Sequence, residues 1–408
     1  MEACGEIGLP AIGVLKMLKS LAFGFLCFAV ASLARGEAIS TSVLYPMTPP
    51  SGSTTAFPWN GELTQAAAGG QTLGYISSSS GGNTVQQAIL WSEPTGSPVN
   101  LNPTNLSGFA DSTAFGTNGT QQVGISYGTA TNFKTNAMLW SGTAASAVDL
   151  SPTSLSGFAN YYANSYANAI SGNQEVGYAF GSFTLNHALL WSGTAASAVD
   201  LNPSSSMQSI AYGTDGSEQV GMVTTTGHPN HAALWFGTAA SFVDLNPAFS
   251  SISYALGVSG NEQVGQGITD GDYHALLWFG TAASAVDLDP QNPSGLYFLE
   301  SEAYGTNGTQ QVGYGSNNDG TTNDALLWTG TAASAVDLGL LLPASGMWTD
   351  SRAYSIDANG NVFGIAEGTY NGTTGYFAVE WSPIPEPGSL SLLALAGLGS
   401  LRRRRRSA

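Results

Sequence analysis

Charge is what this chain lacks. Only 9% of its 408 residues are Asp, Glu, Lys or Arg. Between residues 39 and 383 the basic residues are Lys134 and Arg352 alone, against 23 acids, which leaves that body at −21. Such a surface repels phosphate backbones, so no nucleic-acid partner is expected. Cations or neutral polymers are easier partners. Cysteine is missing from the same body, since Cys4 and Cys27 both stand near the N-terminus. No disulfide then supports the mature fold, and no thiol nucleophile is available. Lys and Glu are few, while Gly numbers 52 and Thr is abundant, which favours strands and turns over helices. An aromatic content of 10% excludes a fully disordered chain. The length suffices for a large core in one or two domains.

The two ends differ from the body. Residues 1–38 hold Lys16 and Lys19, then the apolar run "LAFGFLCFAVASLA", then "GEA" at Gly36–Ala38. A charged start, an apolar middle and a small-residue exit predict a secretory signal peptide, cleaved after Ala38 or Ala34. Met17 is then a plausible true start. Residues 384–408 place Pro385, Glu386 and Pro387 ahead of an apolar stretch, Leu390 to Leu401. Arg402, Arg403, Arg404, Arg405 and Arg406 follow. The apolar segment is short for a permanent span, so transient membrane insertion with the arginines on the cytoplasmic side is expected. An ordinary tail anchor is the alternative. This order of motif, apolar run and Arg cluster closely resembles the PEP-CTERM sorting signal of Gram-negative bacteria. The resemblance covers about 25 residues. It implies processing by an exosortase-type membrane protease, export through the inner membrane to the cell surface or medium, and an association with exopolysaccharide.

The body, residues 39–383, is repetitive. An "Ala-x-x-Trp" or "Ala-x-Leu-Trp" element recurs at Trp91, Trp140, Trp191, Trp235, Trp278, Trp328 and Trp381. Ahead of each stands a turn such as "NGTQQVG" at 118–124 or "GNEQVG" at 260–265. Their Asn-Gly, Asp-Gly, Gly-Asn and Gly-Gly pairs suit tight hairpins, because they tolerate positive φ. One unit thus offers four short strands. They are A (around Ala-Tyr-Gly), B (Gln-Val-Gly), C (Ala-Leu-Leu-Trp) and D (Ala-Val-Asp-Leu). Four strands in 40–50 residues is the period of a propeller blade. Seven units predict an all-β, seven-bladed β-propeller of four-stranded blades. The seventh unit has no D strand after Trp381, while "SVLYP" at 42–46 matches the pattern of "AVDLNP". The N-terminal segment is therefore expected to close the last blade and cover its open edge. The units also resemble extracellular HAF-type repeats, with His-Ala-Leu-Leu-Trp at 187–191 in place of His-Ala-Phe-Leu-Trp. Order and spacing match across 60–381. That resemblance implies no established activity.

Candidate sites are few. His187, His231 and His274 share a slot with Gln87, Asn136, Asp324 and Phe377, which is no metal-ligand set. They are expected as polar residues at the start of strand C. The seven tryptophans share one register and are expected in the core between blades. Asp149, Asp200, Asp244, Asp287 and Asp337 of "VDL" are expected to accept from turn backbone. No catalytic constellation is present, so no enzyme and no cofactor are expected. Oxygen-rich loops such as "TDGDYH" at 269–274 leave calcium open, although none has a full calcium array.

Loop variability is more informative. A–B and C–D loops share one face and are nearly uniform. B–C and D–A loops share the other face and differ from blade to blade. Around the latter lie Phe109, Phe158, Tyr161, Tyr162, Tyr166, Phe249, Tyr297, Phe298 and Trp348. Aromatic rings among Asn and Asp suit a polysaccharide or another surface protein. Capping of the core is the plainer use. The expected function is non-catalytic binding or a structural role at the cell surface. The alternative is an extracellular enzyme acting on a glycan through its central channel.

Overall fold

A computed structural model describes residues 39–47, 55–58, 67–68, 70–80, 83–92, 97–158, 163–180, 185–227, 229–290, 298–316 and 322–383. The expected signal peptide, the tail, His228, Tyr161, Tyr162 and Tyr297 lie outside them. Seven antiparallel sheets form, one per repeat, and the chain is a seven-bladed β-propeller. Residues 41–382 make one compact unit. Among the described residues no helix is long and apolar enough to cross a membrane.

Strand Ile39–Pro46 lies beside Thr373–Pro383 as the fourth strand of blade seven. The N-terminal segment therefore closes the ring, as the missing D strand requires. The Met47 N–H continues the pairing to Tyr376 O at 2.9 Å. Blade one departs from the repeat. Its inner strand comes in two pieces, Thr55–Pro58 and Ala67–Ala68, both paired to Gln71–Ser80. Pro58 has no N–H with which to extend the first piece. The D strands are shorter than expected and reduce to two residues, as at Val199–Asp200.

Each conserved letter of the repeat has a physical task. Every one of the seven tryptophans is fully buried. Opposite it on strand B stands Thr72, Gln122, Glu175, Gln219, Gln263, Gln311 or Val362. The four glutamines accept, at 2.7–2.8 Å, the N–H of the glycine that opens the C–D turn. Their amide nitrogens donate to Gln71, Gln174, Glu218 and Glu262 of the preceding blade. Buried amides thus stitch blade to blade. In "GTAAS", Ser146 Oγ accepts from Ser141 N and donates to Thr143 O, which explains the uniform loop.

Strand A carries a bulge one residue before its glycine, as between Ala211 and Gly213. The bulge aims one side chain per blade inward, including Tyr212, Leu256, Tyr304 and Tyr354. All four belong to one buried cluster. It also presses a carbonyl onto strand B: a Cβ on Gly221 would sit 1.9 Å from Ile210 O. The glycine of "QVG" is therefore a steric requirement. A serine at the head of strand A completes the joint. Ser209 Oγ accepts Ala188 N–H of the preceding blade and donates to Asn202.

Candidate functional site

The slot holding the histidines is a clamp. Nδ1 of His187, His231 and His274 lies 2.8–2.9 Å from Oδ2 of Asp200, Asp244 and Asp287. Asn136 makes the same contact to Asp149, and Gln87 accepts from Asn100, both at 2.8 Å. Oδ1 of each aspartate accepts the N–H two residues on, as Ser151 N to Asp149. The aspartate is the turn acceptor expected from sequence, and its second oxygen also ties strand C to strand D. His274 is held above the usual histidine range by its hydrogen bond to Asp287, against the opposing effect of burial. Among the described residues no group of three or more His, Cys, Asp or Glu could hold a metal ion.

The loop aromatics have different fates. Phe158 and Phe298 are buried in the core between blades, and Phe109 packs against it. These rings cap the core, because the apolar sheet edge beneath them would otherwise meet water. Phe158 also meets His187 edge-on at 5.3 Å. Trp348 is half-buried, stacks on Tyr370 at 5.5 Å and donates Nε1–H to Pro343 O. Phe249 stays exposed.

A better-defined aromatic group surrounds the axis where strands A begin and strands B end, on the variable face. Blades three to seven each supply a cross-strand pair there: Tyr166 and Tyr178, Ile210 and Met222, Tyr254 and Gln266, Glu302 and Tyr314, Arg352 and Ile365. Tyr166 and Tyr178 stack at 4.6 Å and 5°, and Phe180 continues the stack at 6.3 Å from Tyr166. All three are half-buried. Ile210, Tyr254, Tyr314 and Tyr376 pack on the buried cluster that contains Tyr212, Tyr304 and Tyr354. Tyr304 and Tyr354 of that cluster also line a hollow of about 80 Å³ with Gly213, Gly257 and Gly305 of the inner strands.

Polar groups in this vestibule are ordered. Tyr304 donates to Glu302 at 2.6 Å, and Asn230 donates to the Tyr254 hydroxyl at 3.0 Å. Arg352 sits 5.2 Å from the Tyr314 ring centroid, and its Nε lies 3.2 Å from Asp350 Oδ1. Burial raises the phenols of Tyr178 and Tyr314, and pushes Tyr354 up to about 12. The vestibule therefore offers neutral hydroxyls, aromatic faces, the Glu302 carboxylate and one cation neutralised by Asp350. Sequence reasoning missed Arg352 as a site residue. Its rarity was the available signal, because the body's one arginine stands beside this aromatic group.

A second hollow, about 230 Å³, lies on the same face between blades two and three. Lys134, Asn136, Asp149, Phe158 and Asn164 line it. Asn132 and Phe133 beside it adopt left-handed backbone, at φ 52° and 60°.

No protein-family model matches this chain, and no curated protein sequence matches it. Solved structures do. The chain is similar to the β-propeller domain of the Trilobed protease from Pyrococcus furiosus, described as having an open velcro topology. The TM-score is 0.50 and the identity 6%, over 80% of this chain and 94% of that one. It is also similar to a puromycin hydrolase, at TM-score 0.50 and 11% identity, over 79% of this chain. The match covers 52% of that hydrolase, about half its length. At these identities the likeness is one of fold. Unlike an open ring, blade seven here is completed by the N-terminal strand.

Proposed function

We propose that this protein is an exported, non-catalytic binding propeller that takes a hydroxyl-rich polymer, such as a polysaccharide, on its variable face. The observation that carries the reading is the half-exposed stack of Tyr166, Tyr178 and Phe180 at the axial vestibule. Sugar rings bind by laying apolar C–H faces on aromatic rings while hydroxyls meet neutral donors and acceptors. The tyrosines of blades five to seven and Asn230 of blade four offer both on the same face, and a body of −21 disfavours polyanions. On this reading the signal at 1–38 directs export. The Pro385–Pro387 motif with Arg402–Arg406 is then cut by an exosortase-type protease, which leaves the propeller at the surface or in the matrix.

A glycan array with the purified protein tests this reading, followed by titration of Tyr178→Ala. A neutral glycan should bind, and the variant should bind it about tenfold more weakly, the loss of roughly one aromatic contact. Array silence together with turnover of a glycan substrate would reverse the assignment in favour of an enzyme.

A further inference from the structure

Blade six breaks the rule of the slot clamp. In five blades a donor on one partner faces an acceptor on the other: Gln87 with Asn100, Asn136 with Asp149, and three His–Asp pairs. In blade six both partners are carboxylates, Asp324 and Asp337. The register is the same, since Asp337 pairs with Leu326 as Asp287 pairs with Leu276. Both gather over one stretch of backbone. A Cβ on Gly339 would lie 2.8 Å from Asp324 Oδ1, 2.9 Å from Ser351 Oγ and 3.1 Å from Asp337 Oδ1. Two ionised carboxylates have no proton with which to make the bond that every other clamp makes, and at this range they repel.

We propose that Asp324 and Asp337 share one proton, so that Asp324 acts as the donor of the blade-six clamp and its ionisation loosens the joint beside the vestibule. Asp337 is the natural acceptor. Burial raises its carboxyl too, but the N–H of Leu340, at 3.2 Å, opposes that rise and supports the charged form there. Burial first, then the charges of Asp337 and Asp350, push the Asp324 carboxyl up to about 6. Among the described residues, the other titratable groups on the elements packed against this strand are Asp350, Arg352 and Tyr354 on Met347–Ile356 and Tyr314 on Gln311–Ser316. Arg352 is engaged by Asp350, so it does not neutralise the slot.

The joint leads directly to the vestibule. Asn323, next to Asp324, donates Nδ2–H to Asp350 Oδ2 at 2.7 Å. Asp350 holds Arg352, and Arg352 lies over Tyr314. Charging Asp324 adds repulsion against Asp350 and disturbs the contact that orients Arg352. The direction follows from linkage. The folded carboxyl titrates above the unfolded one at 3.8. Stability from the shared proton is therefore complete below about pH 4 and lost as pH rises through about 6.

Asp324→Asn tests the proposal, because it installs the Asn–Asp clamp that blade two already uses. Full-length variant and parent should unfold alike near pH 4. Near pH 7.5 the variant's unfolding equilibrium should be about tenfold more favourable to the fold, allowing for solvent screening. A carboxyl-carbon NMR titration should place Asp324 near pH 6, with the Arg352 Nε–H resonance moving at the same midpoint in the parent and still in the variant. An Asp324 midpoint at or below 4, or a variant less stable at pH 7.5, overturns the proposal. So does a melting temperature that millimolar calcium raises in the parent alone, since a cation would then fill the gap.

Discussion

Trp381 Nε1 donates to the carbonyl oxygen of Leu338, 2.9 Å away, and so pins blade seven to the end of blade six. The equivalent nitrogens of Trp140, Trp191, Trp235, Trp278 and Trp328 are buried without a hydrogen-bond partner. One letter of the repeat therefore does two jobs. In five blades it fills space, and at the ring's last joint it also bonds. Trp381→Phe should cost about 1 kcal/mol more than Trp278→Phe, since it alone breaks a hydrogen bond and leaves a carbonyl unmet. Urea denaturation of the two variants measures the difference.

The N-terminal strand is the second test of closure. Removing residues 39–47 exposes the edge of Thr373–Pro383 and takes Met47 from the buried axial cluster. The truncated protein should melt well below the parent and associate through its bare edge. Calorimetry and sedimentation report the two effects, and an unchanged melting temperature would refute the latch.

Glu175 stands where other blades use glutamine. Its Oε2 accepts Gly193 N–H at 2.8 Å, while Oε1 is buried without a partner. Burial raises its carboxyl, against two lowering backbone hydrogen bonds. The neutral form is thus the one that suits the fold, and wild-type stability falls as pH rises from the ordinary carboxylate range. Glu175→Gln should match the parent in acid and exceed it at neutral pH, by an increasing margin over that interval. Denaturation at several pH values checks the sign.

Two glycines should respond differently to alanine. At Gly221 a Cβ would meet Ile210 O at 1.9 Å, so Gly221→Ala should prevent folding or destabilise by several kcal/mol. At Gly237 nothing lies within 4 Å, but φ is +78°, so Gly237→Ala should cost about 1 kcal/mol. Thermal melts separate a steric requirement from a conformational one.

Much of this was readable in advance because a repeat is its own control. Seven copies of Trp and of Gly-rich turns at one spacing can only stack as like units, and the missing D strand pointed to the segment at 42–46. Local chemistry also predicted the turn role of the "VDL" aspartates. The partners across blades were not readable. Gln122 reaches Gln71, and Ser209 reaches Ala188, only once strands are placed in register.

What the sequence determined by itself was therefore the fold, the blade count and which face varies, since these follow from periodicity and backbone geometry. The tertiary structure alone decided which aromatics face solvent. Of the two uses open to the loop aromatics, Phe158 and Phe298 take the plainer one and are drawn into the core. Tyr166 and Tyr178 lie in regular strands, yet they stack half-buried on the variable face. Burial and convergence are properties of the closed ring, set by contacts between residues far apart in the chain, and no local pattern encodes them.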